Sequence, residues 1–169
     1  MKGLTDTKYC KRCNRTLPLE RFHKDKKLKD GHAFYCKECC SEYGKQYRKT
    51  ANSAYSSSKG TCTYRDRKPF NISKEDYLKW YKSQPRVCGY CGLPESEIKN
   101  IDDKFLKPTK RLTVDCKNNA LGYINGNLVL SCRRCNSLKL DFFTYEEMCY
   151  IGQNMVKPRW ENQLGYKLS

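Results

Sequence analysis

The sequence predicts a small, zinc-stabilised α+β protein in two parts, and three observations predict it. Cys-x2-Cys pairs occur four times and group into two quartets. Only 38% of the 169 residues are hydrophobic, and 13 tyrosines outnumber 6 phenylalanines and 2 tryptophans, a composition suited to half-wet surfaces more than to one dry core. Short apolar runs fit for strands are interspersed with stretches that carry helix caps.

The first part is expected over residues 1–60. Cys10-x2-Cys13 and Cys36-x2-Cys39 are separated by 22 residues, with the turn signal Asp30-Gly31 between them. Two residues between cysteines let both sulfurs bind one tetrahedral ion. A second such pair completes four-sulfur coordination with no open position, as in a structural zinc ribbon. Cys40 could stand in for Cys39, although only Cys39 keeps the two-residue spacing. A basic, tyrosine-bearing stretch from Ser41 to Lys59 reads as a helix fraying into a serine-rich linker.

The second part, residues 61–169, begins with Ser73 as N-cap of a helix over residues 74–83. Tyr77, Trp80 and Tyr81 share one face of it as a core stripe, and Pro85 marks its end. Cys88-Gly-Tyr-Cys91 follows. Leu112-Thr113-Val114 and Leu128-Val129-Leu130 read as strands joined through a Gly122 to Gly126 turn. Cys132-x2-Cys135 then completes a second zinc set with Cys88 and Cys91 across 40 residues. Thr144 and Glu147 have capping-box spacing for a last helix, which Pro158 is expected to end. Each zinc can add on the order of 10 kcal/mol to folding, comparable to the whole stability of a small domain. Cys40, Cys62 and Cys149 read as small hydrophobes, whereas Cys116 stands directly after Asp115.

Lys and Arg number 34 against 18 Asp and Glu, a net charge of +16 spread over the whole length. That is the footprint of a polyanion binder. The chain shows no apolar leading segment and no run near the ~20 residues of a membrane span, so a reducing, cytoplasmic setting is expected, in which thiolates hold metal instead of pairing as disulfides.

The stretch LTVDCKNNALGYINGNLVLSCRRCNSLK, with CGYCG upstream, resembles the HNH (ββα-metal) endonuclease pattern. In that pattern a strand ends in Asp followed by the catalytic His, an Asn opens the second strand, and an Asn follows the last zinc cysteine on the helix. The matching positions are Asp115, Cys116, Asn127 and Asn136. The resemblance implies that Asp115 and Asn136 hold one catalytic divalent cation, Mg²⁺ or Mn²⁺, beside the scissile phosphate. It also implies that Asn127 braces the loop, with a plain turn asparagine after Gly126 as the other reading of that residue. The place of the general base falls on Cys116. His23 and His32, the two histidines of the chain, both lie in the first part, so the standard base is absent.

A narrower similarity, to rare-cutting restriction enzymes of the same family, runs from the first quartet through YLKWY, CGYCG, the Val-Asp strand end, the Gly-Tyr loop and CxxCN to the Thr144 cap. It implies a tyrosine near the metal, matched by Tyr90, and an arginine where this chain has Cys116. An unperturbed phenol titrates near ~10, so Tyr90 as a base needs help, from a neighbouring cation or from deprotonation concerted with attack. Its plainer reading is a ring packed on the zinc module. Lys110, Arg111, Lys117, Arg133, Arg134 and Lys139 are the expected phosphate contacts, with a solvated helix face as the other reading of Arg133 and Arg134.

The implied function is a metal-dependent, sequence-specific endonuclease acting on double-stranded DNA. It would be type II restriction-like, a homodimer on a palindrome in a bacterial or phage cytoplasm, carrying two structural zinc ions per chain. Two alternatives stand beside it. One is a zinc-stabilised DNA-binding protein that has lost catalysis at Cys116, and the other is a phage-type homing or nicking enzyme that cuts one asymmetric site as a monomer.

Overall fold

The computed structural model describes residues 6–65, 68–106 and 109–168, and the chain divides into two compact units, Met1–Thr50 and Ala51–Ser169. In the first, strand β1 (Thr7–Cys10) pairs antiparallel with β2 (Arg15–Pro18), and β3 (Phe22–Lys24) pairs antiparallel with β4 (His32–Cys36). Helix α1 (Lys37–Tyr47) starts directly after Cys36. Each Cys-x2-Cys pair therefore sits where a strand ends. Among the described residues, the buried hydrophobic side chains of this unit are Cys10, Phe22 and Cys36.

The second unit begins with helices α2 (Ala51–Arg65) and α3 (Lys74–Ser83). Residue 60, the expected boundary, lies inside α2. The helix belongs with the second unit because Ala54 and Cys62 are buried in its core and the Tyr55 ring meets Phe70 and Tyr77 edge-on, at 5.5 and 5.3 Å. The fraying linker expected over Ser41 to Lys59 is replaced by α1 and α2. Ser73 caps α3 as its sequence suggests, its hydroxyl accepting from the Asp76 N–H at 3.0 Å.

Strand β5 (Thr113–Cys116) pairs antiparallel with β6 (Leu128–Ser131), setting Asp115 opposite Val129 and Cys116 opposite Leu128. Helix α4 (Arg133–Lys139) follows at once, then α5 (Tyr145–Ile151), a π turn over Gly152–Val156, and α6 (Lys157–Leu164). Thr144 opens α5 with a complete capping box to Glu147. Pro158 does not end the helical run as expected. The π turn offsets the hydrogen-bond ladder ahead of it, so the ring falls in the first turn of α6, where a missing N–H costs little.

The tyrosines also depart from expectation. Tyr77, Tyr81, Tyr90 and Tyr123 are buried, and each hydroxyl has a partner. Tyr77 meets the Ser58 hydroxyl at 2.9 Å, Tyr81 accepts from Arg86 at 3.0 Å, Tyr90 donates to Asp115 at 2.9 Å, and Tyr123 donates to the Val114 carbonyl at 3.3 Å. A phenol is a large apolar body with one polar atom, and once that atom is bonded it packs as phenylalanine does. No helix among the described residues is long and apolar enough to cross a membrane.

Candidate metal centre

Each quartet gathers into one cluster whose sulfurs lie within 4.8 Å of one another. A tetrahedral ion with Zn–S bonds of ~2.3 Å requires sulfur–sulfur edges of ~3.8 Å. The separations are 3.9 Å for Cys10–Cys39, 3.9 Å for Cys13–Cys36 and 3.8 Å for Cys91–Cys132. Four thiols at this spacing with no linking disulfide fit zinc. Cys39 completes the first cluster, and the Cys40 thiol turns instead to the Tyr35 carbonyl.

The second centre is tied to the strands and to the C-terminal helices. The Gly89 N–H donates to the Leu130 carbonyl at 2.7 Å, and Gln153 donates its amide to the Tyr90 carbonyl at 2.8 Å. Gly152 lies so close that a Cβ there would stand 2.5 Å from the Tyr90 carbonyl oxygen. The knuckle is thus held from two sides, and Tyr90, between its cysteines, is directed at the end of β5.

There the Tyr90 hydroxyl donates to Asp115 Oδ2, while Asp115 Oδ1 accepts the Cys116 N–H at 2.9 Å. Lys139, 1% exposed on the last turn of α4, brings its ammonium to 3.9 Å from Asp115 Oδ2 and bonds Asn119 Oδ1 at 3.2 Å. Burial raises the Asp115 carboxyl above the ordinary carboxylate range, and Lys139 and the Tyr90 hydroxyl pull the other way. Burial, with the Asp115 charge second, holds the Tyr90 proton far above the usual phenol range. Tyr90 in this setting is a donor that orients Asp115.

Asn136 follows Cys135 on α4. Its amide nitrogen donates to the Thr113 hydroxyl at 2.9 Å, which leaves the amide oxygen as the acceptor to offer. Asn127 braces the loop between the strands. Its nitrogen donates to the Asn118 and Gly122 carbonyls at 2.8 and 2.7 Å, and its oxygen accepts the Asn118 N–H at 2.9 Å. This is more than a plain turn residue does.

Asp115 and Asn136 line one open cavity of about 550 Å³ together with Lys68, Arg111 and Asp141. Cys116 is absent from its lining. Its side chain is fully buried, and burial pushes the thiol up to about 12, a setting that disfavours a thiolate at the place of the general base.

The six expected phosphate contacts stand in different surroundings. Arg111 lines the cavity, its guanidinium 3.5 and 3.4 Å from the Ser53 and Ser57 hydroxyls. Lys117 lies 5.1 Å over the Tyr145 ring, Arg134 pairs with Asp103 and covers Phe105, Lys110 is exposed, Arg133 is half-buried and Lys139 is enclosed beside Asp115. Lys68 and Asn119 escape sequence reasoning. Lys68 Nζ donates to Asn119 Oδ1 at 2.6 Å on the cavity rim, and nothing in Arg-Lys-Pro or Asn-Asn-Ala marks either residue.

The fold and site define a class: a ββα module in which a strand aspartate and a helix asparagine face one cavity beside a four-cysteine clamp. A solved structure with the same architecture is that of PacI, described as a rare-cutting HNH restriction endonuclease with an extraordinary mechanism of DNA perturbation. The two align with a TM-score of 0.57 and 21% identity over 92% of this chain and 96% of that one. No protein-family model and no curated protein matches the chain.

Proposed function

We propose that the second unit is the catalytic module of a metal-dependent, sequence-specific DNA endonuclease, type II restriction-like in acting as a homodimer on a palindromic site. The observation that carries the reading is the convergence of Asp115, from a strand end, and Asn136, from the helix behind the zinc clamp, on one cavity that Lys68 and Arg111 also line. A carboxylate and an amide oxygen are hard donors of the kind Mg²⁺ accepts beside waters and phosphate oxygens, so these residues fit one divalent cation. A cation held there acidifies water and offsets the charge that builds on the phosphate and the leaving oxygen.

The remaining residues position and attract. Tyr90 orients the Asp115 carboxylate through its hydroxyl, and Thr113 holds Asn136 by its nitrogen so that the oxygen is presented. Lys139 offsets the buried charge of Asp115. Lys68 and Arg111 draw the phosphodiester into the cavity, each neutralised phosphate steepening the salt dependence of binding by about 0.9 log units.

The test is incubation with mixed-sequence duplex DNA and Mg²⁺ or Mn²⁺, beside Asp115→Asn and Asn136→Ala. Metal-dependent cutting that both substitutions abolish, with DNA binding kept, is the expected result. Salt-sensitive binding without cutting under either metal would instead establish the second reading, a zinc-stabilised DNA-binding protein, which the burial of Cys116 at the base position favours.

A further inference from the structure

The first unit carries more aromatic surface outside than inside. Phe22 is its buried ring, whereas Tyr9, Phe34, Tyr35, Tyr43 and Tyr47 are 40–58% exposed. Four side chains form a row. Arg12 lies between the cysteines of the first knuckle, Tyr35 directly precedes Cys36, and Tyr43 and Tyr47 stand one turn apart on α1. The Arg12 guanidinium is 4.7 Å from the Tyr43 ring centre and 5.7 Å from that of Tyr35, and the Tyr43 and Tyr47 rings stack at 6.2 Å with planes 22° apart. Metal ligands flank Arg12 and follow Tyr35, so one end of the row is anchored to the zinc centre.

Packing does not account for this row, because rings left in water contribute little burial. The surroundings select an anion. Residues 1–50 hold 14 Lys and Arg against 6 Asp and Glu. The acids of α1 are engaged, Glu38 with Arg15 and Arg21 and Glu42 with Lys45 at 3.7 Å. A polyanion that also offers flat apolar faces is a nucleic acid with unpaired bases. An intact duplex hides those faces in its own stack and offers phosphates alone, whereas aromatic rows beside cations accept successive bases without regard to sequence.

We infer that Tyr35, Arg12, Tyr43 and Tyr47 form a stacking platform for unpaired DNA bases, in a single strand or in a locally opened duplex. The choice of DNA as the polymer rests on the function proposed above. The test measures binding of the full chain to a labelled oligo-dT strand and to a duplex of equal length by fluorescence anisotropy, with zinc content as the check on folding. Tyr43→Ala with Tyr47→Ala weakens binding to the strand by about 10-fold or more and to the duplex by less than about 2-fold, while Tyr43→Phe keeps wild-type affinity. Arg12→Gln, which leaves every ring in place, weakens both. Strand binding that survives the double substitution overturns the platform, as does Tyr43→Phe proving as harmful as Tyr43→Ala. Duplex binding without strand binding overturns the platform and leaves the nuclease reading standing; binding to neither removes both.

Discussion

The two four-cysteine centres share their spacing within each pair and sit in opposite surroundings. In the first, Cys13 and Cys39 are half-exposed and the buried apolar company is Phe22. In the second, all four cysteines are buried within a cluster of 22 buried side chains, counted among the described residues, that runs from Ala54 to Leu168. The same ligand set is therefore a substitute for a core in one unit and a clamp upon an existing core in the other. Burial and metal are interchangeable sources of stability only where a unit is too small to supply the first.

The largest test of this contrast is Cys13→Ser against Cys91→Ser. Loss of a structural zinc removes on the order of 10 kcal/mol. Hydrogen exchange should lose all protection over the strands of the first unit in Cys13→Ser, while α3 in the second unit keeps measurable protection in Cys91→Ser. Equal collapse of both would break the comparison. Tyr77→Ala comes next. It empties the centre of the aromatic cluster with Tyr55, Trp80 and Tyr81 and strands the Ser58 hydroxyl, at a cost of about 3–5 kcal/mol in denaturant melts of the second unit, with zinc content unchanged.

Gly152→Ala is smaller and sharper. The added methyl meets the Tyr90 carbonyl, costs about 1–3 kcal/mol, and should loosen zinc in the second centre alone, read as faster chelator extraction. The smallest effect is at Glu161. The Leu168 N–H at 2.9 Å, and after it Lys167, hold its carboxyl below the ordinary value of 4.5. A lowered folded pKa contributes stability that is full above 4.5 and lost as pH falls through the folded value. Protection of the Leu168 amide should therefore fade on acidification below pH 4.5, and Glu161→Gln should remove that dependence.

Local signals were legible in the residues themselves. Both metal quartets, the Ser73 cap, the Thr144 capping box and the strand-loop-strand-helix order follow from spacing or from hydrogen bonds made within a few residues. The parts that resisted reading join positions far apart in sequence. Tyr90 reaches Asp115 across 25 positions, and Lys68 reaches Asn119 across 51. Whether Lys139 meets solvent or Asp115 depends on how α4 lies on β5, which no local pattern states. Cys116 is the clearest case. Its place after Asp115 suggests reactivity, and only the packing of the core around β5 shows a thiol buried away from the cavity. The tyrosines misled for a related reason, because a hydroxyl's partner is set by tertiary structure and not by composition.

The 40 residues between Cys91 and Cys132, which carry both strands of the second unit, also set an order in time. As the chain leaves the ribosome, the first centre can close once Cys39 has emerged, but Cys88 and Cys91 must wait for Cys135, a delay on the order of seconds at ~5–20 residues per second. By then all four thiols of the first quartet have long emerged and are free to gather around an ion of their own. Eight cysteines with identical local spacing could exchange partners between quartets, and this order of synthesis lets the first set close before the second is complete.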